Sequence, residues 1–148
     1  MLEVPPDIDY QPVYHFNPVL IMSPEHPLAR RRDIRLPDIS PHGLILPPRR
    51  LTTFQMVDMV FRKHGLPFRV ALEVGGWEVI KRYVAQGMGI SIVTSICITE
   101  ADRQRLLIRA MSEIFPRRSY GVVMRRGAYL SPQAERFIDL MSPELFGE

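Results

Sequence analysis

Residues 52–94 read TTFQMVDMVFRKHGLPFRVALEVGGWEVIKRYVAQGMGISIVT, and two periodicities alternate within them. Phe54, Val57, Val60 and Phe61 recur at helical spacing, Asp58, Arg62 and Lys63 supply a wet face, and Thr52 or Thr53 is placed to cap the helix. Gly65 and Pro67 stop it. Phe68, Val70, Leu72 and Val74 then alternate with Arg69, Ala71 and Glu73, the period-two signature of a strand. Gly75 and Gly76 turn the chain into a second helix with Val79, Ile80, Tyr83 and Val84 on one face. Glu78 and Arg82 are spaced to pair one turn apart on it, and Gly87 ends it. Residues 89–94 return as a strand. This order of helices and strands argues for crossover units and a largely parallel α/β sheet.

Working outward, Val19, Leu20, Ile21 and Met22 form a continuous apolar run, the pattern of a short strand covered on both faces. Leu44, Ile45 and Leu46 form another. Leu36 to Ser40 reads as one helical turn, with Pro37 suited to an early helical position. The first 18 residues carry Pro5, Pro6, Pro12 and Pro18 and read as extended chain. Leu106 to Ala110 and Tyr120 to Met124 are further strand candidates. Ser131 and Pro132 open a final helix whose Ala134, Phe137, Ile138 and Met141 share a stripe.

The composition narrows the function classes. A chain of 148 residues, 46% hydrophobic and 24% charged, suits one ordinary globular domain and not a disordered tract. No apolar run nears the ~20 residues of a membrane span, and the start has no signal-peptide pattern, so a cytoplasmic protein without membrane contact is expected. The single Cys97 allows no internal disulfide and has no CxxC partner, and it reads as a small apolar residue. His15, His26, His42 and His64 lack metal-ligand spacing. There is no GxSxG elbow and no P-loop, and the glycines of GMGI follow a helix instead of opening one. An enzyme, a cofactor and a bound metal are therefore not expected. The net charge is +3, but the arginines at 30–32, 49–50, 117–118 and 125–126 are scattered, as solvated loop ends are, and form no DNA-binding stripe.

Four stretches coincide in order: EHPLA at 25–29, DIRLPDI at 33–39 before LILP, VIKRYVAQGMGISIV at 79–93, and IFPRRSYGVVMRRGAYL at 114–130. Together they resemble the effector-binding domain of LysR-type transcriptional regulators, most closely the branch controlling cysteine biosynthesis and sulfur assimilation. The resemblance runs from about Tyr14, in YHFN, to about Asp139. It implies an α/β fold of the periplasmic-binding-protein type 2, a pair of lobes with mostly parallel sheet and the ligand held between them. The implied division is a lead-in and hinge strand from lobe one at 1–22, a complete effector-binding lobe two at 23–124, and a return segment and final helix of a partial lobe one at 125–148. The helix-turn-helix that carries DNA binding in the family is expected to be missing, and homodimerisation is implied. The implied partner is a small anionic metabolite, a sulfur compound or an organic acid. A fragment that keeps the protein contacts and no longer senses is the alternative.

Candidate effector-binding residues follow from both readings. Thr52 matches a hydroxyl residue that contacts the effector in the resembled branch. Independently, a helix N-terminus with threonines at 52 and 53 favours an anion, through free amides and the positive end of the helix dipole. A helix cap explains Thr52 and Thr53 as well. Arg49 and Arg50 would add charge, or stand as surface residues. Gly75, Gly76 and Trp77 replace the small polar residues more usual in the resembled family. Two glycines permit close backbone approach and Trp77 offers an apolar wall, which suits an organic acid, although Trp77 as core is equally consistent. Tyr14 and Phe16 are candidates to line the cleft or to pack as core.

Overall fold

The computed structural model describes residues 5–141. The chain divides into two compact units, residues 16–117 and the two ends of the chain, residues 1–15 with 118–148.

The larger unit is built on five strands: β2 (Pro18–Met22), β3 (Gly43–Leu46), β4 (Arg69–Glu73), β5 (Ser91–Thr94) and β6 (Leu107–Ala110). β3 and β4 are parallel, with Leu46 opposite Glu73. A parallel bridge between Leu44 and Ile90 joins β3 to the start of β5, so the strands run in the order β4, β3, β5, β2, β6. β2 pairs antiparallel with both β5 and β6. The expected largely parallel sheet is corrected here: a strand buried on both faces has the same apolar composition whichever way it runs, so the run at 19–22 carries no directional signal.

Alternation explains the apolar run. Leu20 and Met22 point into one core with Leu44, Leu46 and Ile92, while Val19 and Ile21 point into the other with Ile45 and Val93. Helix α2 (Thr52–Lys63) covers the first face through Phe54, Val57, Val60 and Phe61. Helix α3 (Trp77–Ala85) covers the second through Ile80 and Val84. The short helix α1 (Leu36–Ile39) buries Leu36 and Ile39 on the α2 side, and the Asp38 carboxylate accepts the Arg35 amide at its start. After β5 the chain makes two 3-10 turns, Ser95–Cys97 and Ala101–Gln104.

The smaller unit pairs β1 (Ile8–Phe16) with β7 (Arg118–Arg125) and carries helix α4 (Pro132–Met141). Ser131 accepts the Ala134 amide at 3.2 Å and caps α4. Tyr10 donates to Ser119 at 2.8 Å, and Tyr14 donates to the Met141 carbonyl at 3.0 Å. Of the expected α4 stripe, Ile138 is buried but Phe137 stays 63% exposed. The unit boundaries lie at 15/16 and 117/118, whereas the sequence suggested 22/23 and 124/125. The reason is pairing: β2 is hydrogen-bonded on both edges within the larger unit, and β7 pairs with β1.

Candidate functional site

Because β3 and β4 are parallel neighbours, their carboxyl ends lie side by side, and the Val74 amide donates to the Leu46 carbonyl at 3.0 Å. The segment 47–51 leads from β3 into α2, and 74–76 leads from β4 into α3. Two helix N-termini therefore open at one edge of the sheet, where α/β folds bind ligands. Seven of the nine predicted residues are gathered there: Arg49, Arg50, Thr52, Thr53, Gly75, Gly76 and Trp77.

The details differ from the sequence expectation at the cap. The N-cap of α2 is Leu51, with extended backbone and no side-chain capping hydrogen bond; Thr52 and Thr53 are the first two helical residues. Because Leu51 takes the extended cap backbone, Thr52 and Thr53, one and two positions later, are helical residues and neither is the N-cap. Thr52 is exposed and Thr53 is buried. No acidic residue lies in the first turn of α2, so nothing on that turn offsets the positive end of the dipole.

Arg49 pairs with Glu73, Nε to Oε2 at 3.6 Å, and its guanidinium lies 5.5 Å from the Phe54 ring centroid. Its amide also donates to Glu73 Oε1 at 3.4 Å. Arg50 is exposed. Of the nine, Arg49 alone also lines a surface groove of about 660 Å³ between α2 and β4, with Phe54, Gln55, Asp58, Arg62, Phe68, Arg69 and Val70.

At α3 the N-cap is Gly76, with φ at +87°, a backbone that side chains rarely adopt. Around Gly75 there is open space within 4 Å of where a Cβ would stand. Trp77 is partly buried and packs against the core on the α3 face. The other two predicted residues lie elsewhere: Tyr14 belongs to the smaller unit, bonded to Met141, and Phe16 stands at the start of the larger unit, partly buried.

The sequence reading missed Lys81 and Asp102. Both side chains are 1% exposed and their ion pair spans 2.6 Å. Lys81 also donates to the Cys97 carbonyl at 2.8 Å and meets Glu78 at 2.6 Å. Asp102 further accepts from the Thr99 amide and hydroxyl and from Arg105. Glu78 thus pairs with Lys81 at i,i+3 and faces Arg105 at 3.9 Å, whereas the sequence suggested Arg82. Burial works against the Lys81 charge, but Asp102 and Glu78 outweigh it and raise its pKa. Burial likewise opposes the Asp102 charge, yet hydrogen bonds from Lys81, Arg105 and Thr99 hold its carboxyl well below the usual carboxylate range.

The family model described as the LysR substrate binding domain matches residues 2–145. The chain belongs to the LysR substrate-binding domain family. Relatives in this family include the transcriptional regulator SsuR of Burkholderia cenocepacia, 29% identical over 95% of this chain and 46% of its own length. CysB of Haemophilus influenzae is 27% identical over 94% of this chain and 43% of its length. These are relatives of the sulfur and cysteine branch. The chain spans less than half the length of either. Among solved structures, the Synechocystis CcmR regulatory domain in complex with 2-PG superposes with a TM-score of 0.83 and 31% identity, covering 94% of this chain and 68% of that one. At the level of architecture the chain shares the type 2 binding-protein α/β fold of these domains.

Proposed function

We propose that this LysR domain senses a small anionic metabolite at the sheet edge where α2 and α3 begin, and that in the whole regulator this binding controls transcription. The observation that carries the reading is the adjacency of two helix N-termini, the first of them without an acidic residue in its opening turn. Arg50 adds positive charge, as does Arg49 where it is not offset by Glu73, and the open space at Gly75 beside Trp77 leaves room for an organic acid as well as for a sulfur oxyanion. The CcmR complex with 2-PG supports small-molecule binding by a related domain.

In the two-lobe scheme the larger unit corresponds to lobe two and the smaller to elements of lobe one. Homologues that are transcriptional regulators argue for sensing over catalysis. Among the described residues no two α-helices follow one another without a strand between them, so DNA contact would be made by a helix-turn-helix outside them. No described helix is long and apolar enough to cross a membrane.

The test is Thr52→Val, which keeps the side-chain shape and removes the hydroxyl, against Gln104→Ala as a remote control. With sulfate and small organic acids titrated by NMR, the parent and the control are expected to bind in the millimolar to high-micromolar range, roughly −4 to −6 kcal/mol, and Thr52→Val more weakly. Equal binding by all three removes Thr52 from the site.

A further inference from the structure

The entry to α3 is anchored by the Val74 amide on the Leu46 carbonyl and by the packing of Trp77, but by no side-chain cap. Gly75 and Gly76 precede it, and a Cβ at Gly76 would meet nothing nearer than Val79 Cγ2 at 4.0 Å. The apolar contacts of Ile80 and Val84 press the helix onto the sheet. A polar tie is added by Lys81, one turn inside the helix. Its ammonium is fixed by three acceptors on three segments: Glu78 of α3 itself, the Cys97 carbonyl at the end of the turn following β5, and the buried Asp102.

Asp102 is in turn fixed by Thr99 and Arg105, so its segment is rigid at that point. Among the described residues no buried side-chain nitrogen or oxygen lacks a partner. The segment 95–105 is anchored at its other end too, because the Ser95 amide donates to the Asn17 carbonyl at 2.9 Å and the Ser95 hydroxyl accepts the Asn17 amide at 3.2 Å. The carboxyl ends of β3, β4 and β5 carry the loops at 47–51, 74–76 and 95–97, and the Lys81 contacts tie the second to the third.

We propose that Lys81 and Asp102 are positioning residues for the ligand edge: they set the location of Gly75, Gly76 and Trp77 by clamping α3 to the segment after β5, without touching the ligand. This rests on the reading of the α2 and α3 N-termini as the effector site. A buried ion pair is poor evidence for stability, since an apolar pair of similar volume often serves equally well, and it is better understood as a device that selects one geometry.

That distinction supplies the test. The double variant Lys81→Met with Asp102→Leu replaces the pair by apolar groups in the full 148-residue chain, labelled with nitrogen-15 and titrated with sodium sulfate. The proposal expects a folded protein, less stable than the parent because Thr99 and Arg105 lose their acceptor. The free-state amide shifts of Gly75, Gly76 and Trp77 should move, those of Thr52 to Gln55 should stay, and sulfate affinity should fall about tenfold, the effect of losing one charge-assisted hydrogen bond. Parental shifts at 75–77 and parental affinity in a folded double variant overturn it. Should the double variant not fold, Lys81→Arg decides. The longer planar cation must displace the three acceptors arranged around a compact ammonium, so displaced 75–77 amides support the proposal and parental ones sink it. If sulfate moves neither helix start in the parent, the effector-site reading fails, while the free-state shifts still report whether the pair positions α3.

Discussion

Lys81 and Asp102 also decide how this domain responds to mutation and to pH. Lys81→Met takes one of two cations from the buried Asp102 and leaves it to Arg105 and Thr99, so this variant alone is expected to lower the unfolding free energy by up to ~3 kcal/mol, measured by urea titration. A value within about 1 kcal/mol of the double apolar variant would show that Arg105 and Thr99 alone satisfy the Asp102 charge. The Asp102 pKa is lowered on folding, so its contribution is complete above the unfolded carboxyl value and is lost as pH falls through and below about 4. The Lys81 pKa is raised, so its contribution is complete below the unfolded value and is lost only at strongly alkaline pH. Parent stability should thus drop from pH 5 to pH 3 more steeply than that of Asp102→Asn, and parallel curves would contradict an ionised buried pair. His26 behaves differently. Its ring nitrogen Nδ1 accepts the Leu28 amide, and burial, then His42 with ring centroids 4.6 Å away, lowers its pKa. Stability tied to that cap is present above about pH 6.5 and is lost as pH falls below it, so His26→Asn, which retains an acceptor, should flatten the denaturation midpoint between pH 7 and pH 5. None of this was legible in the sequence: a lysine next to Ile80 in a helix reads as solvated, and nothing local ties it to an aspartate 21 residues on.

At the scale of elements, the motif QGMGI shows two glycines required for different reasons. Gly87 has φ at +77° with open space around it and terminates α3, whereas a Cβ at Gly89 would meet the Gly43 carbonyl at 2.6 Å, where β3 and the start of β5 join. Gly87→Ala should cost about 1–2 kcal/mol of backbone strain. Gly89→Ala should cost up to ~3 kcal/mol and selectively loosen the β3–β5 junction, seen as faster hydrogen exchange at the Ile45 and Ile90 amides, which bond across it. Equal exchange in both variants would contradict the assignment. Strands and helices were largely legible because each is punctuated: prolines before α2 and threonines opening it, glycines around α3, a serine before α4 and a proline opening it. Direction was not, since β2 reaches both its neighbours antiparallel through a run of residues that would suit either sense. The cap of α2 was also misplaced, because Leu51 takes the extended cap backbone through geometry alone, without a polar side chain to announce it.

For the molecule as a whole, the smaller unit leaves Tyr129 at 87%, Leu140 at 78% and Val123 at 62% exposure. More apolar surface is presented there than a two-stranded sheet and one helix can cover. Concentration-dependent self-association is expected in sedimentation experiments, and a strictly monomeric mass at high concentration would contradict it. Sequence-selective retention of promoter DNA by this chain is not expected at physiological salt, where dispersed arginines give only salt-sensitive attraction. The family was legible because four stretches keep their order, and the site because parallel neighbours β3 and β4 must bring the residues after them together; which anion fits was not, since a helix N-terminus accepts any carboxylate or oxyanion. The central claim is that the adjacent starts of α2 and α3 form one anion-binding edge. Its most direct test is a nitrogen-15 chemical-shift map of the unmodified chain titrated with sulfate, phosphate and small organic acids at constant ionic strength. The account predicts that amides at 51–55 and at 75–77 shift together along one saturating curve for at least one anion. Shifts confined to exposed arginine loops, or curves that never saturate, would contradict it.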